Sequence, residues 1–265
     1  MREDFWDTRT GQVCNILGML AIFMLAWEAA VHFLEVKQFL LPPPSKVFLA
    51  FVKEPGYYLL QMMHTLWETL LGFSMAVVIG ILLAVGIVYS RFLERTLYML
   101  LVGMNAVPKI ALAPLFIVWL GMDLAPKVAI ATLVALFPIV IDTVLGLRSV
   151  EPDMLDLAKA FRGSRNQVLF KIRFPNALPS IFAGLKVGIS FAFIGAIVGE
   201  FVSAQQGLGY VIVSSQANFD TPRMFVAIML LAVIGTALFY IVEIVEKRVI
   251  PWHVSHRTKA SHAGH

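Results

Sequence analysis

Charge is scarce in this 265-residue sequence: Asp, Glu, Lys and Arg make up 14% of it, against 59% hydrophobic residues and a mean hydropathy of +0.80. Soluble domains carry about a quarter charged residues, so this balance excludes one and places the chain in a lipid bilayer. Cysteine is nearly absent. The single Cys14 excludes an internal disulfide and says nothing about redox compartment. The phosphate-cradling pattern GxxxxGK[ST] is missing, so any ATP hydrolysis must come from another chain. No nucleophile stands in register with a base; the chain is therefore not expected to be an enzyme or to hold a cofactor. Four histidines in the tail, His253, His256, His262 and His265, lack a ligating spacing and have no Cys or carboxylate beside them, so no metal site is expected. The surplus of four positive charges is small and bears on orientation in a membrane, with no nucleic-acid partner implied.

What is present is a series of apolar runs. Residues 1–15 form a short polar head, and the run 16–34 is too long for a signal-peptide core and lacks a small-residue cleavage site, so it reads as an uncleaved first span. Residues 35–65 read as an outer segment. Its LPPP break at Leu41–Pro44 is followed by Ser45, expected to cap a short amphipathic helix carrying Val47, Phe48, Phe51 and Val52. Residues 66–246 read as a five-helix core with spans near Leu66–Tyr89, Leu97–Leu120, Lys127–Leu147, Pro179–Val202 and Arg223–Val245, and 247–265 as a polar tail. Pro108 and Pro114 interrupt the third span. A helix so broken should face protein or a cavity, which makes Asn105, Pro108, Lys109 and Pro114 candidates for a translocation pathway. Lys109 is expected either to meet an anion there or to snorkel or bond a freed carbonyl.

The long polar island Glu151–Pro175 carries its own helix punctuation. Pro152 suits a first helical position, and Asp153 and Asp156 suit the positive end of the helix dipole. Met154, Leu157, Ala158 and Phe161 fall on one apolar stripe. Gly163 is expected to take the left-handed conformation that ends this helix, Ser164 and Gln167 to form a capping box for a second, and Pro175 to stop that second helix near Phe174. Six spans put both termini on one side. That side, with the island, holds 14 Lys and Arg against 5 on the other, so both termini and the island are expected in the cytoplasm.

The island resembles the cytoplasmic loop signature of bacterial ABC importer permeases: Glu-Ala-Ala, three residues, Gly, nine residues, Ile, one residue, Leu, Pro. Asp156, Leu157 and Ala158 take the first three places, Arg162 the Gly place, and Ile172, Phe174 and Pro175 the end. The match is one of register, since Asp replaces Glu, Leu replaces Ala and the glycine stands one place on at Gly163. LLPPPSKVF (Leu40–Phe48), PKIALAPLFIVWLG (Pro108–Gly121), FPNALPSI (Phe174–Ile181), GEFV and GLGYVI are similar to segments of permeases of nitrate, sulfonate, taurine and thiamine-precursor importers. The resemblance implies an all-α polytopic fold of six transmembrane helices with a two-helix cytoplasmic coupling loop, of the type I importer kind. It implies a homodimer in membrane lipid of a bacterial inner membrane, two ABC ATPase subunits and a periplasmic solute-binding protein. It also implies that Asp156, Leu157, Ala158, Lys159, Phe161, Arg162, Gly163, Ser164, Arg165, Ile172 and Pro175 form the coupling element, with Lys159, Arg162 and Arg165 beside the apolar stripe. The cargo it implies is a small anion such as a sulfonate, taurine or nitrate, or a thiamine-precursor-like pyrimidine.

Three charges lie within spans. Asp142 and Lys186 both sit roughly 10 Å inside the cytoplasmic boundary at 1.5 Å per residue, and are expected to pair. Glu200 lies near an outer helix end, and the residues leave open whether it binds a partner or a loop N–H. The competing expectation is an ion-coupled secondary transporter using Asp142, Lys186 or Glu200; it demands an inverted repeat and midplane ion sites, neither of which the sequence displays.

Overall fold

The computed structural model describes residues 9–99, 103, 107–203 and 205–252. Asn105 and the four tail histidines fall outside these residues. Nine helices organise the described chain: α1 (Arg9–Phe33), α2 (Pro44–Lys53), α3 (Pro55–Tyr89), α4 (Ala113–Leu120), α5 (Leu124–Arg148), α6 (Pro152–Ala160), α7 (Arg165–Ser203), α8 (Leu208–Ala217) and α9 (Thr221–Val249). Among the described residues α3, α5, α7 and α9 are long and apolar enough to cross a bilayer. The first and third expected crossings coincide with shorter apolar helices, Gly18–Phe33 and Lys109–Leu120.

The centre is α3, α5 and α7 packed on one another. Ala76, Ala131, Ala135, Ile139, Ala192 and Ala196 meet there. Small side chains let the backbones approach: a Cβ added at Gly188, Gly195 or Gly199 would stand 2.8 Å from Ile139 Cγ1, 2.7 Å from Ala131 Cα or 2.9 Å from Lys127 Cα. In a bilayer, where lipid tails are as apolar as Leu, such close packing is the main force holding helices together. A second cluster joins α2, α3, α7, α8 and α9 through Val47, Tyr58, Phe193, Leu208, Val226 and Leu231. On α1, Glu28 accepts hydrogen bonds from the Ser45 N–H (3.0 Å) and Oγ (2.8 Å), and Trp27 meets Phe225 at a ring-centroid distance of 5.6 Å.

Several helix ends differ from expectation. The helix expected from Leu66 begins at Pro55, in the favourable first position. Its 35 residues amount to about 50 Å at 1.5 Å per residue, more than the ~30 Å hydrocarbon core, so one end continues past it. Hydropathy hides the first third because Gln61, Thr65 and Glu68 interrupt it, yet at i, i+4 and i+7 these form one buried face. Ser45 does not cap α2. Pro43 occupies the N-cap without a side-chain bond, and Glu28 from α1 takes the free N–H of Ser45 instead. Pro114 breaks no helix, because it sits in the first turn of α4, where no intrahelical N–H bond is lost; Pro108 is non-helical, and a 3-10 turn, Lys109–Leu112, leads from it into α4. Pro175 does not stop the helix either. α7 runs unbroken for 39 residues, with a π-helical turn at Leu169–Arg173 immediately before the proline whose wider backbone accommodates the missing N–H.

Candidate functional site

The island is an outward-facing corner. From α6 the apolar stripe points into solvent, with Met154, Leu157 and Phe161 51%, 59% and 80% exposed. Lys159 pairs with Asp156 at 2.8 Å, and Arg162 and Arg165 are exposed beside the stripe. The turn after α6 closes with paired bonds, Arg162 N–H to Lys159 O (2.9 Å) and Gly163 N–H to Ala158 O (2.9 Å). In this Schellman arrangement the left-handed residue is Arg162, at φ 55°, and not Gly163 as expected. Gly163 relieves crowding instead: a Cβ there would stand 3.0 Å from Ala158 O, a tight contact. The family loop's glycine falls, by register, on Arg162, the very residue whose backbone favours glycine. The capping box forms, with Gln167 N–H donating to Ser164 Oγ (3.3 Å) and Ser164 N–H to Gln167 Oε1 (2.9 Å).

The corner is tied to the bundle at points the sequence did not mark. Tyr89 at the end of α3 donates to Asn166 Oδ1. Arg173 donates to Leu147 O (2.8 Å), and Asn176 to Ser149 Oγ (3.0 Å), so α7 closes the end of α5. Arg148 pairs with Glu94 at 3.0 Å. Leu169 is buried with Leu147, Ala177 and Ile181; Ile172 is half-buried and Pro175 exposed. Only the i, i+3, i+4 spacing of Leu169, Ile172 and Arg173 hinted at a face turned inward.

Among the pathway candidates, Lys109 Nζ lies 4.1 Å from the centroid of the Phe137 ring, a cation–π contact that joins the 3-10 turn to α5. Pro108 and Pro114 are exposed. The expected Asp142–Lys186 pair does not form. Lys186 pairs with Glu246 at 2.8 Å, because α9 continues to Val249 and carries Glu246 to the level of Lys186. Asp142 has no ion pair among the described residues and lies against Gly184, where a Cβ would come within 2.8 Å of its own Cβ.

A buried polar network, largely missed in the sequence, surrounds Glu200, which is 1% exposed. Glu200 accepts from Thr65 Oγ1 (2.6 Å) and from the Gly209 N–H (2.5 Å), a donor in the first turn of α8 where the sequence offered a partner or a loop N–H. Thr65 also accepts from the Leu208 N–H (2.9 Å), Gln61 accepts from the Gly207 N–H (2.6 Å), and Lys127 donates to Glu68 (2.6 Å). The first N–H groups of α8 are thus held by side chains of α3 and α7. Lys127, expected at the outer surface, is 6% exposed. A stripe of Gln61, Thr65 and Glu68 at helical spacing was the legible signal.

Comparison with known proteins fits this architecture. Residues 76–251 match the family described as "Binding-protein-dependent transport system inner membrane component". A riboflavin transport system permease protein of Chloroflexus aurantiacus is 35% identical over 238 residues, 89% of each chain. A formylaminopyrimidine transport permease protein of Halalkalibacterium halodurans is 31% identical over 232 residues, 87% of this chain and 92% of that one. Among solved structures, the MetNI methionine ABC transporter in an inward-facing conformation superposes with a TM-score of 0.62 at 20% identity, covering 75% of this chain and 97% of that one. Glu200 is taken up by the start of α8 and Lys186 by Glu246, so the ion-coupled alternative finds no support. With two thirds of its length matched by the family, this chain belongs to the inner-membrane permease components of binding-protein-dependent ABC importers, a transport family whose members work with an ATPase and a solute-binding protein.

Proposed function

We propose that this chain, with a second copy of itself, forms the translocation pathway of an ABC importer and is driven through the corner 151–175 by a separate ATPase on the cytoplasmic side. The observation that carries this reading is the exposure of Phe161, Leu157 and Met154 on a well-capped helix. Large apolar side chains held in water by a fixed backbone are characteristic of a docking face. The 14 to 5 bias of Lys and Arg supports cytoplasmic termini. Bonds from the corner to α3 and α5 give a displacement of α6 a mechanical route into the bundle. ATP-driven closure of the ATPases would then shift the bundle between inward-open and outward-open states. The cargo is a ring-containing nutrient of the pyrimidine or flavin kind, which the relatives at 31% and 35% identity support. Permeases named for aliphatic sulfonates and taurine, at 26–29% identity, support a small anion as the second reading of the cargo.

Co-purification with the ATPase subunit tests the docking face. Phe161→Asp should release the ATPase while leaving the permease folded. Retention of the ATPase by a Phe161→Asp, Leu157→Glu double variant would overturn the assignment. Gly163 is the poorer probe, because a side chain there crowds Ala158 O and so acts on the turn as well as on the docking face.

A further inference from the structure

The network at the start of α8 contains two buried carboxyl groups and one buried ammonium. Glu68, Lys127 and Glu200 are 3%, 6% and 1% exposed. Lys127 Nζ donates to Glu68 Oε1 at 2.6 Å. Both oxygens of Glu200 are engaged, one by the Thr65 hydroxyl and one by the Gly209 N–H. Glu68 Oε2 is buried and receives no hydrogen bond. Thr65, whose hydroxyl donates to Glu200, stands three residues before Glu68 on the same buried face of α3, which brings the two carboxyl groups into one pocket. With both carboxyls ionised, one negative charge would remain uncompensated in the bundle and Glu68 Oε2 would stay without a donor, a combination that is strongly unfavourable away from water. Among the described residues, the remaining titratable group beside the site is His64 on α3, one turn before Glu68; α8 contributes backbone N–H groups.

We propose that this is a binding site for one resident proton, carried on Glu68 Oε2 and donated to the Glu200 carboxylate. The proton balances the charge of the triad and gives the orphaned oxygen a partner. Glu200, then held by the Thr65 hydroxyl, the Gly209 N–H and the Glu68 hydroxyl, fixes the first turn of α8 to α3 and α7. Close packing leaves little room for a larger cation: Gly207, at φ 105°, has its Cβ position occupied by the Glu200 carboxyl, and a Cβ on Gly209 would stand 2.7 Å from Glu200 Oε2. The proton is structural and stays with the folded chain, unlike the coupling ion of a secondary transporter.

The test uses the intact transporter, permease with its ATPase subunits, in lipid nanodiscs at neutral pH. Infrared spectroscopy should show a protonated-carboxyl band that Glu68→Gln removes. The Gln amide supplies the N–H in place of the bound proton and still accepts from Lys127, so Glu68→Gln should melt within about 2 °C of the parent, whereas Glu68→Ala should fall by about 5 °C or more. Absence of a band that Glu68→Gln removes would overturn the proposal. So would a Glu68→Gln variant as unstable as Glu68→Ala, or a melting temperature that rises with sodium or potassium, which would place a metal cation between the carboxyls instead.

Discussion

At the corner between α5 and α7 the chain holds apolar side chains out, with Phe161 80% exposed, whereas at the start of α8 it holds charges in, with Glu68 and Glu200 3% and 1% exposed. Both regions do the same local job of satisfying the N–H groups at a helix start. Ser164 and Gln167 do it for α7 from within four residues. For α8 it is done by Gln61, Thr65 and Glu200, brought from more than a hundred residues away or across a loop. A locally capped helix can move as a unit when something grips it. A helix start held by side chains of two other helices cannot move without them. On the proposed function, the corner serves as a handle at one end of the bundle and the start of α8 as a rigid joint at the other.

The largest expected effect breaks the joint. Lys127→Met removes the ammonium and leaves the Glu200 carboxylate uncompensated; the loss should be about 3–5 kcal/mol, read as a fall of roughly 10 °C in melting temperature. Close helix approach is the next target. Gly195→Leu places a side chain where Ala131 Cα stands 2.7 Å from an added Cβ, and should destabilise by about 1–3 kcal/mol or more. Phe161→Asp works on the handle alone: ATPase affinity should fall at least about tenfold, about 1.4 kcal/mol, with the permease melting unchanged. The smallest effect sharpens the contrast. Arg162→Gly relieves a left-handed non-glycine residue at φ 55° and should stabilise the corner by about 1 kcal/mol. Hydrogen exchange at Phe161–Ser164 would report it.

The island's two helices, their punctuation and the capping box were legible because capping involves residues three or four apart. What failed there was the choice between neighbours: Arg162 bends where Gly163 was expected, since the geometry of the turn, and not residue type alone, selects the left-handed position. Pro175 was read as a stop because its missing N–H is a local fact, whereas the π-helical turn that accommodates it is a property of the whole helix. Asp142 and Lys186 share a depth without pairing, because Lys186 meets Glu246 on α9, which runs past the Val245 boundary set by hydropathy.

Composition alone determined that the chain is a membrane protein, and helical spacing determined where its apolar stripes lie, because both depend on residues near one another in sequence. Which buried polar groups meet was decided only by the tertiary structure. Lys127 and Glu68 are 59 residues apart, Thr65 and Glu200 135. A buried charge must find a partner in three dimensions, and the sequence states its need without saying where the partner lies.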